Sequence, residues 1–198
     1  MKTLRIVAAA MPATFVLATM SLPLLAQQQG PADGAASSAT RSFFAGGALK
    51  GVRKVIENAP TTTTSTTYIP IPGASSSWFV PANDSDLLNV SFSAECRLIG
   101  NPAPPAGAAN WVELRVVLTR SPAAAGFPAV MQPYDTVSPM AFCSADLWAM
   151  HAANFAARVS GGTTGATYTA IVQYKVTGPT AGLTAWIDDY TLELLAFN

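Results

Sequence analysis

Strict alternation is clearest over residues 87–98. Leu88, Val90, Phe92, Ala94, Cys96 and Leu98 fall on one side, and Asn89, Ser91, Ser93, Glu95 and Arg97 on the other. A period of two sets one face on a core and the other in water, as in a half-buried antiparallel strand. Residues 111–120 repeat the pattern, with Val112, Leu114, Val116 and Leu118 inward and Glu113 and Arg115 outward. Residues 167–177 do so again: Tyr168, Ala170, Val172, Tyr174 and Val176 oppose Thr169, Gln173, Lys175 and Thr177. Residues 183–197 read as the last strand, with Trp186, Asp188, Asp189 and Tyr190 near its start.

Between these runs the pattern is weaker. Residues 48–58 fit a strand or a short helix. The Thr-rich run 61–69 is β-like, since β-branched Thr tolerates a half-exposed pleat. Pro70 lacks a ladder donor and so predicts an edge strand. Residues 75–80 predict a short strand carrying Trp78, and 81–86 a turn. Pro122, Pro128, Pro133 and Pro139 make 121–145 mostly loop, with short extended pieces around Val130 and Phe142. The Ala-rich stretch 149–157 has helical propensity. Alternation of Phe155, Ala157 and Val159 with Asn154 and Arg158, ended by Gly161-Gly162, favours a strand there. About eight strands separated by turn clusters predict an all-β antiparallel β-sandwich or jelly roll.

The start of the chain has a different character. Lys2 and Arg5 precede an apolar stretch from Ile6 to Leu25, and small Ala26 precedes three glutamines. This is the layout of a secretory signal peptide over 1–26. An uncleaved anchor is the alternative, which Pro12 and Pro23 disfavour. Residues 27–47 read as a low-complexity linker and 48–198 as the β-sandwich domain. The expected location is therefore secreted or periplasmic, with no membrane span after cleavage.

Composition narrows the function classes. Loss of Lys2 and Arg5 leaves nine basic and eleven acidic side chains, a net charge of −2. No basic patch suited to phosphate neutralisation is visible, which disfavours nucleic acid as a partner. Cys96 and Cys143 are the two cysteines. In an oxidising compartment an even pair predicts a disulfide, with two buried free thiols as the alternative. Closing that long loop contributes about 3–4 kcal/mol in the chain-entropy view.

The ending Ala185-Trp186-Ile187-Asp188-Asp189-Tyr190-Thr191-Leu192-Glu193-Leu194 resembles the final strand of galactose-binding-like jelly rolls, a group that includes many carbohydrate-binding modules. The run from Gly165 to Val172 is similar to their penultimate strand. Together with Phe92-Ser93-Ala94-Glu95-Cys96, these segments also resemble uncharacterised secreted bacterial β-sandwich proteins. The resemblance spans residues 60–198. It implies a sandwich fold, and an Asp of the Asp188-Asp189 pair that caps a turn or anchors a structural cation. No full aromatic platform is recognisable, so it implies the fold more than the ligand.

No catalytic constellation stands out. His151 is the only histidine, and no Gly-x-Ser-x-Gly accompanies it. It reads as a partly buried structural side chain. Strand alternation places Asp188 and Asp189 on opposite faces, so they do not form a convergent catalytic pair. Asp84, Asp86 and Asp188 are the only calcium candidates; Asn83, Asp84 and Asp86 supply hard oxygens, although a plain Asx-turn explains them as well. Asn83 and Asn89 begin sequon-like triplets.

Trp78, Trp111, Trp148 and Trp186 carry the functional expectation, with Tyr134 beside them. An indole stacks on the apolar face of a sugar ring and keeps one N–H donor. The alternative for each is a place in the core. Asn110 and Gln173 are the polar partners considered. The leading expectation is an exported, non-catalytic binding domain for a glycan or cell-surface ligand, with no cofactor. The runner-up is a structural or self-associating extracellular or envelope protein whose segment 61–69 pairs with a neighbouring chain. A hydrolase is the least supported reading.

Overall fold

The computed structural model describes residues 47–101, 110–134 and 140–198. The expected signal peptide (1–26) and all but the last residue of the expected linker (27–47) lie outside the described residues. Among the described residues there are eleven strands: β1 (Leu49–Glu57), β2 (Thr61–Thr63), β3 (Ile69–Val80), β4 (Ser85–Ile99), β5 (Trp111–Ser121), β6 (Ala129–Val130), β7 (Gln132–Pro133), β8 (Met140–Cys143), β9 (Ala149–Ser160), β10 (Ala166–Thr177) and β11 (Thr184–Phe197). The count exceeds the eight expected because the Pro-rich stretch yields three strands of two to four residues. Among the described residues there is no helix, so both helical alternatives, at 48–58 and 149–157, resolve to strands. No helix there is long and apolar enough to cross a membrane.

The strands form two antiparallel sheets packed face to face. The first has the order β1-β11-β4-β9-β7, with β2 also on β11. The second has the order β3-β10-β5-β6, with β8 also on β5. From β3 to β5 and again from β8 to β11, consecutive strands alternate between the sheets. Each connection therefore spans the sandwich, and most pairings join residues distant in sequence.

The inward rows are those the alternation predicts. Leu88, Val90, Phe92, Ala94, Cys96 and Leu98 of β4 are buried, as are Tyr168, Ala170, Val172, Tyr174 and Val176 of β10. Phe92 lies centrally, its ring 5.7 Å from Phe142 and 5.5 Å from Tyr190. Full burial of each such side chain contributes about 2 kcal/mol. Cys96 on β4 and Cys143 on β8 form a disulfide, Cα atoms 6.2 Å apart, which ties the first sheet to the second.

Two irregularities have local causes. The expected short strand 75–80 is the second half of β3, which bends at Gly73 (φ 76°) where the register against β10 shifts. A Cβ on Gly73 would meet the Tyr190 hydroxyl at 2.7 Å, and that hydroxyl donates to the Pro72 carbonyl at 2.6 Å. Only glycine fits both the backbone angle and the space. Pro70 lies on β3, an edge strand of the second sheet, as its missing donor requires. The Thr-rich run divides between the sheets. Thr61–Thr63 pairs with Ala185, Trp186 and Ile187 of β11, and the chain then crosses to β3.

Candidate functional site

The structure does not bring the expected ligand-binding residues together. Trp78 points inward near the open margin between β1 and β3. Its Nε1 donates to Asp86 Oδ2 at 2.8 Å. The ring lies so close to β1 that a Cβ on Gly51 would sit 2.6 Å from it. The Asp86 side chain is fully buried, and its other oxygen accepts from the Lys50 ammonium at 2.5 Å. Lys50 also bonds Asp84 at 2.5 Å. Asp84 and Asp86 thus converge on a lysine ammonium, which clasps β1 to the start of β4. Hydrogen bonding to Asp84, then to Asp86, raises the Lys50 pKa. The Lys50 bond, then the Ser85 N–H, lowers that of Asp84.

Trp111 begins β5 on the outer face of the second sheet, half-buried and opposite Thr177. The next outward residue, Glu113, is only 4% exposed although alternation places it on the solvent side. Tyr68 covers it. The Tyr68 hydroxyl donates to Glu113, Thr177 Oγ1 donates at 2.7 Å, and Lys175 pairs at 3.2 Å. The Arg115 guanidinium carbon lies 3.9 Å from the Tyr68 ring centroid, and its Nε donates to Gln173 Oε1 at 2.8 Å. Burial, then the bond to Glu113, pushes the Tyr68 hydroxyl far above its ordinary pKa. This knot is satisfied from within, and it occupies the Gln173 carbonyl. Asn110 is likewise internal. Its amide joins Asn101 at 2.9 Å and Thr180 at 3.0 Å in both directions.

Trp148 finds a partner. Its ring centroid is 5.8 Å from that of Trp186, with the planes tilted by 52°. Trp186 stands on the outer face of the first sheet, between Thr62 of β2 and Arg97 of β4. Arg97 Nε donates to Asp146 Oδ1 at 2.7 Å, and the Gly100 N–H donates to Asp146 Oδ2 at 3.2 Å. Those contacts, Arg97 first, lower the Asp146 carboxyl pKa. Leu147 (74%), Met150 (60%) and Trp148 (40%) are exposed beside the pair. One step along the same face, Asp188 and Glu95 lie opposite each other, and Glu95 lies opposite Met150. The result is an open, tilted indole pair rimmed by an arginine and three carboxylates. It offers apolar ring faces, guanidinium donors and carboxylate acceptors.

The remaining candidates lie apart. Asp188 Oδ1 accepts from the Asp189 N–H, and Asp189 takes φ 42° where the register against β4 slips. The pair is therefore a β-bulge, which bends the strand after Trp186. Tyr134, half-buried, follows β7, and its backbone N–H donates to the Asn154 carbonyl at 3.0 Å. His151 is half-buried with its ring 5.5 Å from Phe142, and burial lowers its pKa. Among the described residues no carboxylate or hydroxyl hydrogen-bonds it, and no group of three or more His, Cys, Asp and Glu is placed to hold a metal ion. Trp148 and Trp186 are each legible as candidates, but their meeting is not, since it depends on β4 lying between β11 and β9. Arg97 and Asp146 carry no signal of their own beyond the outward parity of Arg97. The chain matches no protein-family model and no curated protein.

Proposed function

We propose that this chain is an exported, non-catalytic binding domain whose outer aromatic face takes a glycan. The carrying observation is the tilted Trp148–Trp186 pair beside Arg97 and Asp146. Two indole faces set at an angle suit the apolar faces of a sugar ring or of two successive rings, and the charged rim suits their hydroxyls. The cross-sheet disulfide accords with an oxidising destination.

The test is a pull-down against insoluble polysaccharides together with titration of soluble oligosaccharides. Trp148→Ala and Trp186→Ala should each weaken binding about tenfold or more, since truncated aromatic anchors cost upwards of about 1 kcal/mol. Trp111→Ala, on the opposite sheet, should leave it unchanged. Absence of binding to every glycan, or binding indifferent to both changes, would overturn the reading.

A further inference from the structure

A sheet edge is a row of unpaired backbone N–H and C=O groups, and proteins blunt such rows with short strands, prolines, bulges or outward lysines. Three of the four margins of this sandwich are blunted. At the far side of the first sheet β7 has two residues, one of them Pro133. The far side of the second sheet ends in β6 and β8, of two and four residues. The near side is β3, which carries Pro70, Pro72 and the bend at Gly73.

β1 is different. It runs for nine residues without proline, its one register shift against β11 lies at the very start, between Leu49 and Gly51, and among the described residues nothing pairs with its outer side. Its two lysines do not guard it. Lys50 turns in to Asp84 and Asp86, and Lys54 pairs with Glu193 on β11 at 3.1 Å. Leu49, Val52 and Ile56 stand 52%, 50% and 63% exposed along the strand.

We infer that β1 pairs antiparallel with β1 of a second copy of this chain, joining the two first sheets across a two-fold axis perpendicular to them. Charge selects the register. A two-fold axis of this kind sets residues of equal parity opposite each other. Centring on Val52 sets Lys50 against Lys54 of the partner, centring on Arg53 sets that arginine against itself, and centring on Lys54 does the same for that lysine. Like charges directly opposite are destabilising. Centring on Val55 instead sets Arg53 opposite Glu57 of the other copy, twice, and lays the Lys54 stem beside Ile56. No ion pair among the described residues engages Arg53. The expected runner-up segment, 61–69, offers a shorter edge: its β2 part has three residues, and beyond it the Ser65 carbonyl already accepts from the Val176 N–H at 2.8 Å.

Sedimentation equilibrium of the full chain across the micromolar range tests this. The expected result is a dimer that Arg53→Glu or Glu57→Arg weakens by about 10- to 100-fold, as two facing charge pairs turn repulsive. The doubly reversed protein should regain most of the parent affinity, because the pairs are restored with opposite sense. Glu57 also accepts from the Asn58 and Ala59 N–H groups at 3.0 Å, so thermal melts accompany each variant; the Arg53→Glu arm touches no such bond. A strict monomer overturns the inference, as does a dimer indifferent to both reversals or one that the double reversal fails to restore.

Discussion

Asp86 is the residue on which the margin between β1 and β3 turns. Its carboxylate is buried, and both oxygens are used, by an ammonium and by an indole N–H. Removing one partner of a buried pair leaves the others without compensation, which costs about 3–5 kcal/mol when the charge stays buried. Lys50 is a quarter exposed and can turn to water, so the lower end applies. Asp86→Ala should therefore destabilise the domain by about 3 kcal/mol in chemical denaturation. Asp84→Ala, at the exposed arm of the same clasp, should cost far less, since solvent screens that pair. Glu113 teaches a related lesson. Parity correctly gives it to the outer face, but parity is silent on the Tyr68 ring that covers it. Sequence periodicity reports which way a side chain points, not what another segment lays over it.

Among elements, β4 and β10 were the most legible, because one face of each meets the core along its whole length. The Pro-rich stretch was legible only as extended fragments. There β6, β7 and β8 are held by single short pairings to β5 and β9 and by the disulfide at Cys143, not by a periodic apolar face of their own. The bridge is the covalent tether of β8, beside the buried side chains of Met131 and Phe142. With the cysteines 47 positions apart, the chain-entropy model assigns it about 4 kcal/mol. Cys96→Ser with Cys143→Ser should lower denaturant stability by about that amount, and reduction of the parent protein should reproduce the loss. The aromatic site was half legible for a similar reason. Trp148 and Trp186 are separated by 38 positions, and β4 lying between β11 and β9 brings them within 5.8 Å.

For the molecule as a whole, charge is sparse, and among the described residues all of it but Asp86 and Glu113 is placed at the periphery. Two acidic side chains with lowered pKa, Asp84 and Asp146, fasten outlying segments: β1 in one case and the connection between β8 and β9 in the other. A carboxyl whose pKa is lower folded than unfolded stabilises the fold above the unfolded value, and the contribution fades as pH falls through the folded one. Burial lowers the His151 pKa, so thermal stability should ease once pH falls below the ordinary imidazole value, and it should decline further below the ordinary carboxylate range as Asp84 and Asp146 take up protons. Asp84→Asn and Asp146→Asn together should flatten that decline while lowering the melting temperature at pH 7. An unchanged pH profile in the double variant would assign the acid limit to other groups.

The pairing of β1 with β11 has a mechanical consequence. Leu49 lies opposite Phe197, so the two ends of the described domain leave from the same end of one ladder. Tension applied there does not shear all the hydrogen bonds of the pair at once. It peels them in succession, as a zip opens, and the Lys50 clasp lies at the very first tooth. A domain loaded in this way yields at low force, and the covalent bridge then keeps residues 97–142 from paying out. Such a module suits a flexible point better than a stiff link under load.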